Sequence, residues 1–312
     1  MNAQELFAPA GTSVSTSTVV FEYAIGDIIV GSTDNSNFQI TQGFSQPRMV
    51  IKTYVPDDNF EAYLEANGMG DGIANNDYVT TANISSVTAL NLSNNNTPGG
   101  LYITDLTGIE DFTSITSLNC AHNQITTIDL SHNTSLQIFT CHFNGLSNLN
   151  FGQINTITSL TLQGNPILNL DLSNFSQLYY INCIQTNLSN LDLSQNSSLT
   201  HLFCGSNGIN SLDLSNNNLL THVEVQNNLL TSLDLRNGNN INITSFKASG
   251  NSNLNCVSVD DASWSNNNWT NIDSHTIFLD DCASYVALDA DFSVDGVIVC
   301  EGIPTIFTDE SV

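Results

Sequence analysis

Basic residues are nearly missing from this chain: 4 Lys+Arg stand against 30 Asp+Glu, a formal net charge of −26. Such a chain repels nucleic acid and anionic lipid head groups, which argues against both as partners, and it suits salty or cation-rich surroundings. Long apolar runs are also missing, since none approaches the ~20 residues of a membrane-spanning helix; no membrane insertion is expected. No basic-plus-apolar leader is visible. HExxH, CxxC, a nucleophile elbow, a phosphate loop and spaced carboxylate pairs are all absent, so no catalytic residue is assigned and the expectation is a non-enzyme. Cysteine is scarce and odd in number: the 7 residues leave at least one without an intrachain partner.

What is present is repetition. Cys120, Cys141, Leu162, Cys183, Cys204 and Val225 recur every 21 residues, each inside a phrase such as Ile115-x-x-Leu118-x-Cys120-x-x-Asn123. A second phrase is nested at the same period: Ile128-Asp129-Leu130, Leu149-Asn150-Phe151, Leu170-Asp171-Leu172, Leu191-Asp192-Leu193, Leu212-Asp213-Leu214 and Leu233-Asp234-Leu235. In each L-x-L the apolar pair shares one side of a short strand. One such strand cannot bury its apolar side alone. Coils stacked at ~4.8 Å build a shared Leu/Ile/Cys interior and pair each strand with the next. Two strand phrases in 21 residues leave room for tight turns but not for a helix. The expected fold is therefore mainly β, a flattened solenoid with short strands on both sides. The Asn closing many phrases turns the chain, its amide bonding backbone groups that the bend leaves unpaired.

These phrases resemble bacterial leucine-rich repeats with a nested 21-residue unit, over roughly residues 84–256. The flanks extend the likeness. Tyr54-Val55-Pro56-Asp57-Asp58-Asn59-Phe60-Glu61 and Leu106-Thr107-Gly108-Ile109-Glu110-Asp111-Phe112 resemble the N-terminal cap of secreted Bacteroidetes-type repeat proteins. Cys256-Val257-x-Val259-Asp260-Asp261, with Trp264, Trp269 and Cys282, resembles their C-terminal cap. The likeness implies a Cys256–Cys282 disulfide that staples the last coil against fraying. Tyr23-Ala24-Ile25-Gly26-Asp27 and Gln42-Gly43-Phe44-Ser45-Gln46-Pro47 are similar to an N-terminal β segment of proteins exported by type IX secretion, although no type IX sorting domain is recognisable. Ala290-Asp291-Phe292-Ser293, Val299-Cys300 and Thr305-Ile306-Phe307-Thr308-Asp309 resemble the first strands of a PKD-type, immunoglobulin-like domain. Two strands make no sandwich, so a fragment of a longer protein is expected, with the partner of Cys300 beyond it. The opening Met1-Asn2-Ala3-Gln4-Glu5 is read as a mature export product whose leader has been replaced by a methionine. The implied organisation is a β segment (1–50), an N-terminal cap with the first repeat (51–112), 21-residue repeats (113–255), a C-terminal cap (256–286) and truncated PKD/Ig-like strands (287–312).

Two surfaces compete as the site. The middle position of the second phrase barely varies within the chain (Asp129, Asn150, Asp171, Asp192, Asp213, Asp234), whereas the outward positions of the first phrase vary freely. They include Ile138, Thr140, His142 and Phe143, then Tyr180, Asn182 and Ile184, then His201 and Phe203, then His222 and Glu224. Apolar and aromatic groups left outward mark an interaction surface, so Ile138, His142, Phe143, Tyr180, Ile184, His201, Phe203 and His222 form the candidate ligand face. The alternative is that a partner binds the caps or missing domains. The Asp column places like charges ~4.8 Å apart, worth roughly 1 kcal/mol of repulsion per pair in water. It reads either as a calcium ladder through Asp171, Asp192 and Asp213 or as carboxylates satisfied by flanking Ser and Thr, and the second is preferred. The loop with Asp71, Asn75, Asn76 and Asp77 is rich in oxygen ligands but matches no calcium-loop spacing. Cys120/Cys141 and Cys183/Cys204 are expected as buried free thiols, because parallel in-register side chains suit disulfide torsions poorly. His201 and His222 share a column but lack an evident third zinc ligand.

The combined expectation is a secreted or cell-surface bacterial module for recognition or adhesion, monomeric and without a required cofactor. Its partner would be a protein or a polysaccharide. The alternatives are a passive spacer or surface-layer component, and an accessory domain of a larger secreted hydrolase.

Overall fold

The computed structural model of the chain describes residues 14–16, 19–21, 50–94 and 102–284. The chain divides into two compact units, 1–282 and 283–312, and the solenoid with its disulfide lies in the first. The type IX-like and PKD-like stretches lie outside the described residues. Near the N-terminus, Val14–Thr16 and Val19–Phe21 pair antiparallel.

The N-terminal cap is a two-stranded antiparallel pair, Lys52–Tyr54 with Tyr78–Thr80, and the helix Asp58–Ala66 between them. Asp57 caps that helix: its Oδ1 accepts from Asn59 N and Phe60 N, each at 3.0 Å. Its other oxygen accepts from Thr104 N at 2.8 Å, Thr104 Oγ1 at 2.9 Å and Asp105 N at 3.1 Å. One carboxylate thus fixes the cap to the chain entering the repeats. Burial alone would raise its pKa, but the amides and the hydroxyl it accepts outweigh burial and hold it below the ordinary carboxylate value.

The coils follow as an unbroken parallel front sheet of eight strands in chain order: Ala89–Asn91, Ser117–Asn119, Ile138–Thr140, Ser159–Thr161, Tyr180–Asn182, His201–Phe203, His222–Glu224 and Ser245–Lys247. Pairing is in register, so Tyr180, His201 and His222 stand side by side. The middle residue of every strand turns inward: Leu90, Leu118, Phe139, Leu160, Ile181, Leu202, Val223 and Phe246 are buried. The step is 21 residues from Ser117 to His222, then 23 to Ser245, the last coil taking up a 3-10 turn at Asn240–Asn242.

The back side carries strands at Thr127–Asp129 and Asn148–Asn150, and again at Ser211–Asp213, Ser232–Asp234, Cys256–Ser258 and Ile277–Leu279. β-structure on both sides is therefore present, but the back sheet is interrupted. Residues 170–172 and 191–193 keep their inward leucines Leu172, Leu191 and Leu193 buried yet form no ladder. For the first of these, Pro166 gives a physical reason. Its column is the one where Gly145 N donates to Ile125 O and Gly208 N to Leu188 O, and proline has no N–H to offer there.

Between the two sides, the phrase-ending asparagines stitch each coil to the one before. Nδ2 of Asn165 donates to Cys141 O and to Leu162 O, both at 2.8 Å, and its Oδ1 accepts from Leu146 N at 2.9 Å. Asn144, Asn207, Asn228 and Asn251 repeat this pattern. The sharp turn beside them needs a left-handed residue in every coil, and His122, Phe143, Gly164, Gln185, Ser206 and Asn227 all have φ between 53° and 70°. Gly164 also makes room, because a Cβ there would meet Cδ1 of Phe143 at 2.6 Å.

The C-terminal cap adds the helix Ala262–Asn268, N-capped by Asp261, and the last two back strands, paired in parallel, with a disulfide from Cys256 in the first to Cys282 just after the second. Trp269 lies stacked on Phe246 with centroids 4.3 Å apart and closes the end of the core.

Candidate functional site

Alternation in the front strands puts the first and third residue of each on the outer side, and aromatic rings gather in two groups, one in the turns just after the early strands and one on the later strands. At the early coils His122, His142 and Phe143 meet, with ring centroids 4.9 to 5.4 Å apart. At the later coils Tyr180 stands 5.9 Å from His201 and 5.6 Å from Phe203, and His201 stacks on His222 at 4.3 Å and 12°. Ile138 is 42% exposed and Phe143 44%, while His142, Tyr180, Ile184, His201, Phe203 and His222 are half-buried. Of the eight residues singled out from sequence, the structure gathers six into these clusters; Ile138 and Ile184 stand outside both. Sequence reasoning passed over His122 and Tyr179, the latter 46% exposed. The signal for His122 was there: it occupies the column of Phe143 one coil earlier.

Each later histidine is held by the threonine before it. Thr200 Oγ1 lies 2.8 Å from His201 Nδ1 and Thr221 Oγ1 lies 3.0 Å from His222 Nδ1. Burial first, and the neighbouring His222 second, lower the pKa of His201. Burial and then His122 do the same for His142. At the far edge Glu224 pairs with Lys247 at 2.8 Å.

On the back, the Asp column is a column of turns. Asp129, Asp171, Asp192 and Asp213 each accept, through Oδ1, the amide of the serine two residues on at 2.9 Å, and Asp234 accepts that of Arg236 at 3.0 Å. Those amides hold Asp129, Asp171 and Asp192 below the usual carboxylate range; for Asp234 the Arg236 side chain contributes most. Asp105, Glu110, Asp129 and His132 line a cleft of about 600 Å³ where the N-terminal cap meets the back strands.

The acidic loop is split between two tasks. Asp71 is drawn inward to Lys52 at 3.2 Å and accepts from Asn76 Nδ2 and Ile73 N. Burial would raise its pKa, but these hydrogen bonds and Lys52 outweigh it and lower it. Asp77 instead comes together with Asp58 and the buried Glu61, their oxygens lying within 4.8 Å of one another. Glu61 is already engaged with Asn76 N and Asp77 N.

Cys120, Cys141, Cys183 and Cys204 are buried free thiols. Burial pushes Cys183 up to about 12 and raises Cys120 and Cys204 as well, so none of these three is a nucleophile at neutral pH.

No protein-family model matches the chain. Over 81 residues it is 36% identical to internalin J of Listeria monocytogenes serotype 4b (strain F2365), a stretch covering 26% of this chain and 8% of that relative's length. Among solved structures, the functional domain of internalin J, described as including a cysteine ladder, shares 24% identity at a TM-score of 0.36, over 68% of this chain and 58% of that one. A leucine-rich-repeat protein of Leptospira interrogans shares 16% at 0.47, over 57% and 51%. Internalin C2 of Listeria monocytogenes shares 20% at 0.41, over 66% and 97%. The solenoid itself stands on its strand register, and its repeat is of the leucine-rich type.

Proposed function

We propose that this chain is a non-catalytic recognition or adhesion module acting outside a bacterial cell, with the outer rings of its front sheet as the contact surface for a protein or polysaccharide. The observation that carries this reading is the gathering of aromatic and imidazole rings, with exposed Ile138 and Phe143, on the one side whose outward residues change from coil to coil. The back column, by contrast, repeats because its turns require it. Rigid stacked coils with a variable outer side suit binding, since the interior is satisfied independently of what the surface displays.

Two features favour a place outside the cell: the disulfide between Cys256 and Cys282, and the excess of acidic groups. A monomer is the form proposed. The Bacteroidetes-type origin, the type IX export and the PKD-type continuation are proposed on the sequence phrases alone. The non-catalytic reading is supported by the hydroxyl–histidine pairs. Thr200 and Thr221 give their protons to the carbonyls of Tyr179 and Thr200, so neither hydroxyl is primed by its histidine as a nucleophile.

The test is binding to arrays of immobilised surface proteins and glycans by the wild type and by Tyr180→Ala plus Phe203→Ala. Loss of a specific signal in the double variant, with unchanged thermal unfolding, is the expected result. Undiminished binding would move the site off the front sheet, and no saturable binding to any probe would favour a passive spacer.

A further inference from the structure

The hydrogen bonds of the two stacked histidines fix which nitrogen carries the proton. Thr200 has one hydroxyl proton and donates it to Tyr179 O at 2.8 Å; a carbonyl can only accept. Toward His201 Nδ1, 2.8 Å away, Thr200 must therefore accept, and Nδ1 bears the hydrogen. The same holds one coil on: Thr221 donates to Thr200 O at 3.1 Å and accepts from His222 Nδ1 at 3.0 Å. Both neutral rings are thus locked as the Nδ1–H tautomer. Nε2 is left as an unprotonated acceptor on each ring, and neither Nε2 has a hydrogen-bond partner among the described residues. The rings are parallel to within 12° at 4.3 Å, so the two lone pairs stand side by side, next to the rings of Tyr180 and Phe203.

Two acceptors flanked by aromatic rings call for a donor, and one carrying positive charge would gain from the ring faces as well. Charge complementarity points the same way. The chain carries 30 acidic against 4 basic residues, and each described basic group is already in an ion pair: Lys52 with Asp71, Arg236 with Asp234 and Asp281, Lys247 with Glu224. A field of this sign draws cations to the surface and repels anionic partners. Resting on the proposal that the front sheet is the contact surface, we infer that the His201–His222 pair, with Tyr180 and Phe203, receives an arginine or lysine side chain from a basic segment of a protein partner. The titratable and charged groups facing the pair are Tyr180, Glu224 and Lys247, the last two neutralising each other; the strand on the far side of Tyr180, Ser159–Thr161, carries none. Acid would protonate Nε2 of His201, turning an acceptor into a positively charged donor, so the site would release its cation as pH falls.

The experiment uses the full chain with ¹⁵N-labelled histidine and two short peptides, one with two arginines and one with citrulline in their place. Long-range ¹H–¹⁵N spectra are expected to report the Nδ1–H tautomer for both rings before any addition. Titration with the arginine peptide should then shift both Nε2 signals, with affinity about 5-fold above that of the citrulline peptide. It should weaken at least about 5-fold between roughly pH 7.5 and pH 5.5. His201→Phe plus His222→Phe keeps the rings and should abolish the response. Thr200→Val plus Thr221→Val keeps the histidines, releases the tautomer, and should lower affinity several-fold. Equal affinity for the two peptides, or arginine binding that leaves both Nε2 signals in place, would overturn the inference. So would front-sheet binding to a neutral glycan that Tyr180→Ala plus Phe203→Ala removes and the histidine variants do not; that outcome would leave the recognition reading intact.

Discussion

One column of asparagines, Asn144, Asn165, Asn207, Asn228 and Asn251, adds side-chain bonds between successive coils to those of the strand ladders, with Thr186 in the coil between Asn165 and Asn207. Asn165 is 1% exposed and serves two carbonyls and one amide. Cys141 O keeps a bond from Asn144 Nδ2 at 3.2 Å, so Asn165→Ala leaves Leu162 O and Leu146 N unpaired; with each buried orphan costing about 1–3 kcal/mol, a loss of about 2 kcal/mol or more is expected. Urea unfolding followed by circular dichroism measures it. At Asp57 the sign of the pH effect follows from its depressed folded pKa: the stabilisation is present above the ordinary value of 3.8 and is lost as pH falls through the folded value. Asp57→Asn should flatten the acid limb of a stability–pH profile below about pH 3.8 while lowering stability at neutral pH. An unchanged acid limb would show that this carboxylate does not govern it. Gly164 and Phe143 illustrate coupling between columns, since the ring at one coil fits only because the next coil has no side chain there.

Elements differ in how firmly they are held. The front sheet runs through eight strands without a gap, whereas the back sheet lapses where Pro166 removes a donor. The last two back strands depend on the cap, where Cys256 and Cys282 close a loop of sequence separation 26. Chain-entropy reasoning puts the bond at about 3.5 kcal/mol. Reduction should therefore raise amide hydrogen exchange at 256–279 first and leave the front strands from Ser117 to Phe203 protected. Uniform loss of protection along the whole solenoid would mean that the cap and the coils unfold as one unit.

At the level of the molecule, charge opposes compaction. With −26 formal charges and an exposed carboxylate at Asp129, Asp171, Asp192 and Asp213, self-repulsion is screened only by ions. Raising salt from roughly 10 mM to 300 mM shortens the Debye length from about 30 Å to under 8 Å, and the melting temperature should rise by a few degrees. A flat or falling melting temperature would show that the acidic column is neutralised within the fold. Binding of a basic partner should respond oppositely, weakening over the same range.

Much of this was legible from residues 115–235. The inward leucines, the buried free thiols and the six-fold Asp/Asn column repeat at a fixed step, and in a stacked coil a fixed step is a position in space. The cap helix after Asp57 and the cysteine pair at 256 and 282 were readable by resemblance. What the repeat could not convey was how neighbours meet across coils. The break in the back sheet depends on whether an amide finds a carbonyl 20 residues away. The division of the acidic loop depends on Lys52 reaching Asp71 while Asp58 and Glu61 approach Asp77. The facing of two imidazoles, and the proton each one holds, required the threonines and the carbonyls of the preceding coils to be in place. The amino-acid order by itself determined the repeating coil, because the interior calls for apolar groups, and for an asparagine at most turns, at set intervals. The distances and proton positions that give a surface its chemistry exist only once adjacent coils have packed.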